Sequence, residues 1–146
     1  MSANNSPIFT LTPNNGISNS SILTIANTTR DLSSATGAIA FLSAGTNGSR
    51  VDQIDFTHVS SASTTASIAA VGRIWKCTSS VGANPVLVKE VALPLVTPSL
   101  TAIGGAVTIT FSTPLVIENG LWLLATLSVS QATNSGYAVH PSAGDF

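Results

Sequence analysis

Residues 115–128, LVIENGLWLLATLS, are apolar at nearly every position as far as Leu127 and are broken only at Glu118-Asn119-Gly120. Asn-Gly supplies the positive φ that a tight turn needs, because glycine has no Cβ to clash and asparagine tolerates the left-handed region. The pattern therefore predicts two apolar strands joined as a hairpin. In the second, Leu121, Leu123, Ala125 and Leu127 share one face, with Trp122, Leu124, Thr126 and Ser128 on the other. A strand apolar on both faces belongs in the middle of a sheet. The remaining segments are expected to cover it.

Those segments read as further short strands separated by turn signals. Residues 7–12, PIFTLT, are a strand candidate closed by the turn signal Pro13-Asn14-Asn15-Gly16. Ile8, Phe9 and Leu11 make it either an edge strand or an arm that docks on a neighbour, so residues 1–16 are set apart from a sandwich domain at 17–146. Strands are also expected at 22–28 and 38–43, with a turn or a single helical turn at 30–34 and a turn at 45–48. Between 50 and 60, Ile54, Phe56 and His58 alternate with Gln53, Asp55, Thr57 and Val59, the pattern of a half-solvated strand. A bridge of small residues at 60–70 leads to a strand in which Val71, Arg73, Trp75 and Cys77 oppose Ile74 and Lys76. Residues 86–95 alternate again, and in 106–112 Val107, Ile109 and Phe111 point inward. The chain is expected to close with a short strand at 137–140 and a tail, PSAGDF.

Roughly eight or more short strands, with Gly, Pro and Asn between them and no capped helical period, predict an all-β fold. The expected architecture is a single antiparallel β-sandwich, jelly-roll or immunoglobulin-like. A chain of 146 residues is long enough for one such core.

Composition narrows the functional classes. Charged residues make up 8% of the chain, against about a quarter in an ordinary domain, and Ser with Thr make up roughly a quarter. Hydroxyls and amides have replaced charges, a composition unlike that of an enzyme handling charged metabolites. Arg30, Arg50, Arg73, Lys76 and Lys89 are scattered and the net charge is −1, so no nucleic-acid partner is expected. No apolar run reaches the ~18 residues of a membrane span, and the start, MSANNSPIF, lacks the pattern of a signal peptide. Cys77 is the single cysteine, which excludes an intramolecular disulfide and suits folding in a reducing cytoplasm. Asn4, Asn19, Asn27 and Asn47 match glycosylation acceptors, as chance provides in a chain this rich in Asn and Ser.

The titratable side chains offer little chemistry. His58, His140 and Cys77 have no metal-ligand spacing, so no metal or cofactor is expected. Asp52 and Asp55 are expected on opposite faces of their strand and so do not form a carboxylate pair. No nucleophile elbow, P-loop or dinucleotide fingerprint occurs, and the chain is not expected to be an enzyme. Trp75, flanked by polar residues, is the better of the two tryptophans for an exposed contact. Trp122, among apolar residues, is expected in the core or at its margin.

The strands VDQIDFTHVSSASTTASIAAVGRIWKC and LVKEVALPL, the segment AVTITFSTPLVIENGLWLLATLS and the ending YAVHPSAGDF together cover about two-thirds of the chain. Their layout resembles small β-sandwich proteins of tailed-bacteriophage virions, most closely the capsid cement or decoration type. The resemblance implies synthesis in the host bacterial cytoplasm and a final place on the capsid surface. It implies the major capsid protein as partner, with a homotrimer bridging capsomers, and no nucleic acid or membrane. The contact residues expected are Ile8, Phe9 and Leu11 in the arm, together with Trp75. A tail or baseplate component, or a carbohydrate-binding module using exposed aromatics, would use the same sandwich.

Overall fold

The computed structural model describes residues 12–16, 22–61, 65–99, 101 and 104–146. It is all-β: eight strands form two antiparallel four-stranded sheets, with no helix among the described residues. The strands are β1 (Thr12–Asn14), β2 (Ile39–Ser43), β3 (Ser49–Ser60), β4 (Ala70–Cys77), β5 (Val86–Leu93), β6 (Ala106–Ile117), β7 (Trp122–Leu127) and β8 (Ser135–Asp145). Sheet I has the order β1-β8-β3-β6 and sheet II the order β2-β7-β4-β5. Ile54, Phe56, Ile109 and Ile117 from sheet I meet Leu42, Ile74, Leu93, Leu123 and Leu127 from sheet II in the main core. The antiparallel sandwich is the architecture that the strand pattern predicts.

Within it, the strand from Trp122 to Leu127 occupies an interior position of sheet II, buried at every residue after Trp122. Its inward face, Leu123, Ala125 and Leu127, enters the main core. On its outward face, Leu124 joins Trp75, Cys77 and Leu32 in a second apolar cluster, flanked by Ala38, Ala40 and Trp122. The cover comes from residues 27–38, which cross the outside of sheet II and insert Leu32.

The predicted hairpin at Glu118-Asn119-Gly120 is corrected. The turn exists, with Gly120 at φ 81° and the Leu121 N–H donating to the Glu118 carbonyl at 3.2 Å. However, β6 pairs with β3 in sheet I, whereas β7 pairs with β2 and β4 in sheet II. The turn carries the chain from one sheet to the other. Beside it, residues 44–48 carry β2 of sheet II into β3 of sheet I, and the two crossings are bonded by Ala44 N–H to the Leu121 carbonyl at 3.0 Å.

Three other expectations change. The pairing of β3 shifts register between Val51 and Gln53, so the buried positions run Val51, Ile54, Phe56, His58. A bulge resets the two-residue phase. Asp52 and Asp55 consequently both lie off the core face, rather than on opposite faces. Residues 22–28 make only isolated bridges, Leu23 to Tyr137 and Ala26 to Leu127, rather than a strand. The expected short last strand runs on through Pro141 to Asp145. Among the described residues the outer side of β8 pairs only at Tyr137 and at positions 143–145, so a proline without an N–H fits between them.

Candidate functional site

Of the expected contact residues, Ile8, Phe9 and Leu11 lie outside the described residues. Trp75 is corrected: it is 2% exposed, and its indole N–H donates to the Thr126 hydroxyl at 3.0 Å. Its polar sequence neighbours misled the expectation, because Arg73 on the same face is itself buried. The Arg73 Nε donates to Glu90 Oε1 at 2.8 Å, and its Nη1 donates to the Asn27 carbonyl at 3.4 Å. Arg30 reaches the same carboxylate at 3.3 Å. The hydrogen bond from Arg73 holds Glu90 below its ordinary carboxylate value, with smaller help from the Arg30 and Arg73 charges and against desolvation. This cluster ties the covering segment to β4 and β5. Trp122, expected in the core or at its margin, is half-buried at the margin of the second cluster.

The chain enters the described fold at an outer edge of sheet I. β1 is three residues long and pairs with the end of β8, Thr12 opposite Asp145. Side chains fasten it: Asn14 Nδ2 donates to Asp145 Oδ1 at 2.7 Å and to the Ser43 carbonyl at 3.1 Å. The buried Ser49 hydroxyl donates to the same carboxylate oxygen.

At the opposite end of the sandwich, where β3 stops and β8 starts, a groove of about 700 Å³ opens between residues 22–25, 59–61 and 130–136. No ionisable side chain lines it. Two of its polar side chains are committed: Gln131 accepts from Ile68 N–H at 2.8 Å and donates back to the Ile68 carbonyl at 3.1 Å, while Ser130 Oγ accepts from Ala26 N–H at 2.9 Å. Exposed along it are the apolar Ile22 (47%) and Ile25 (57%) together with the polar Thr24, Ser61, Thr133 and Asn134. Sequence reading missed this surface because residues 22–28 look like a strand. Their out-in-out order at Ile22, Leu23 and Thr24 was the available signal.

Beneath the groove, His58 Nε2 and Ser135 Oγ are 2.9 Å apart, both buried, and the His58 ring meets Tyr137 edge-on at 5.6 Å. The pair joins β3 to β8. Burial pushes the His58 pKa below its ordinary value of 6.5, so the folded protein prefers the neutral ring. A depressed histidine pKa gives stability that is complete above the unfolded value and is lost as pH falls through and below it. The melting temperature is therefore expected to be level from about pH 7 up to the alkaline range in which Cys77 ionises, and to fall as pH drops through and below 6.5, before Glu90 contributes below its ordinary 4.5. Thermal melts of the wild type and His58→Gln check this: the variant should lose the slope in that window. An unchanged slope would assign it elsewhere.

His58, His140 and Cys77 are not brought together. His58 faces inward on sheet I, His140 is exposed on the outer face opposite Asp55, and Cys77 lies under the cover of sheet II. Burial raises the Cys77 thiol pKa. Among the described residues no three His, Cys, Asp or Glu side chains are grouped to hold a metal ion. Asp55 accepts from Gln53 and from the Thr108 hydroxyl, in a polar outer face of sheet I. Of the glycosylation-like asparagines, Asn27 is 2% exposed with its amide spent on the Ser34 and Thr36 carbonyls at 2.6 and 2.7 Å. Compared with known proteins, the chain matches no family model, no curated protein and no solved structure.

Proposed function

We propose that this chain is a structural component of a tailed-bacteriophage virion, of the capsid cement or decoration type. In this reading it binds the outside of the shell as a homotrimer and bridges neighbouring capsomers of the major capsid protein. The observation that carries the reading is the entry of the chain at the outer edge of sheet I, through a three-residue strand fastened by Asn14 and Asp145. Ile8, Phe9 and Leu11 precede that edge. A segment in that position adds to the sheet edge of a neighbour through main-chain hydrogen bonds and needs no charge to do so. The charge-poor, hydroxyl-rich composition suits this. Weak contacts made by each copy reinforce one another, because after the first the others are intramolecular. The carbohydrate-binding alternative loses its aromatic platform with the burial of Trp75.

Deletion of residues 1–11, which spares β1, tests the reading. The full chain is expected to co-sediment with undecorated shells. The truncated chain should stay in the supernatant while keeping its far-ultraviolet circular dichroism. Binding by the truncated chain would remove the arm from the mechanism. Failure of the full chain to bind any shell would remove the cement reading itself.

A further inference from the structure

We propose that residues 28–36 form a latch on the outer face of sheet II that opens as a unit while the sandwich stays folded. The latch is bounded at one end by Asn27, whose N–H is held by the Leu127 carbonyl at 2.7 Å, and at the other by β2. Between these points only Leu32 is buried, at 3% exposure, while Thr28, Arg30, Asp31 and residues 33–36 are exposed. Leu32 holds its place at φ 53°, a left-handed conformation that costs a leucine roughly 1–2 kcal/mol.

The other fastenings are light. Arg30 meets Glu90 at 3.3 Å with 74% of its side chain exposed, a type of pair that contributes little. Asn27 acts as the clasp through its two bonds to Ser34 and Thr36, and receives the Thr29 hydroxyl at 2.8 Å. Few buried apolar contacts and many exposed hydrogen bonds are the marks of a segment that opens below the global unfolding free energy. Beneath it lie Trp75, Cys77 and Leu124, the apolar outer face of β4 and β7. None of these belongs to the main core that joins the two sheets. Lifting the latch therefore uncovers an apolar patch without separating the sheets.

Cys77 reports the opening, because its thiol is 1% exposed when the latch is closed. Labelling with a thiol reagent in increasing urea, followed by mass, should show a slow rate that does not change with urea below the unfolding transition. Leu32→Ser, which removes the anchor, and Asn27→Ala, which removes the clasp, should each raise that rate at least tenfold. The midpoint of sheet unfolding by circular dichroism should shift far less. Two results would overturn the proposal. One is labelling that follows the same steep urea dependence as loss of the sheets in all three proteins. The other is a rate that Asn27→Ala leaves unchanged, which would route access to Cys77 past the turn at 79–84 instead.

Discussion

Trp75→Ala should destabilise the protein by about 3–5 kcal/mol, a large part of the roughly 5–15 kcal/mol available to a domain of this kind. Trp75 is the largest side chain that is fully buried, and it lies on β4, an interior strand of sheet II. Truncation removes the ring from under Leu32 and leaves a cavity between the latch and the sheet. It also deprives the Thr126 hydroxyl, 0% exposed, of the indole donor. Trp75→Phe keeps most of the volume and loses only the hydrogen bond, so about 1–2 kcal/mol is expected. Urea unfolding followed by far-ultraviolet circular dichroism gives both numbers. An alanine variant as stable as the wild type would show that the second cluster contributes nothing. The prediction also governs how binding data are read, since loss of partner binding in Trp75→Ala would follow from unfolding rather than from a missing surface contact.

The burial of Trp75 marks where sequence stops being informative. Alternation placed the faces of β3, β4 and β6 correctly, because each strand carries its own two-residue period: Ile54, Phe56 and His58 inward, Ile109 inward, Trp75 and Cys77 opposite Ile74. Which face of β4 meets solvent depends on Leu32, more than forty positions earlier, and no local pattern encodes that contact. The Asp52 bulge against β8 is equally invisible, since inserting one residue leaves each half of the strand with a normal alternation. Pro141 read as the start of a tail because proline ordinarily ends a strand, yet β8 continues where its outer side is unpaired by described residues. The end groove is assembled from three distant segments, and Ile22 and Ile25 are exposed on either side of the Leu23 bridge to Tyr137. Asn-Gly at 119–120 specifies a turn, but the partners of the next strand, Ser43 and Cys77, decide which sheet receives it.

That last distinction predicts unequal costs for two glycines of similar backbone conformation. Gly120 has φ 81° and Gly48 has φ 93°, so alanine at either position meets the left-handed penalty of roughly 1–2 kcal/mol. Gly120 has no atom within 4 Å of the position its Cβ would take, and Gly120→Ala should cost only that penalty. At Gly48 the new Cβ would lie 2.8 Å from the Ile117 carbonyl oxygen. This oxygen belongs to the last residue of β6, which is held in register opposite Ser49, so it cannot retreat without disturbing the β3–β6 pairing. Strain added to the conformational penalty brings the expected cost of Gly48→Ala to about 3 kcal/mol or more. Urea unfolding of the two variants side by side measures the difference. If the turn at 118–121 were the tip of a simple hairpin, remote from residues 44–48, both substitutions would cost about the same. A clearly larger loss at Gly48 follows only if the two crossings between the sheets abut, with Ala44 bonded to Leu121 and Gly48 against the end of β6.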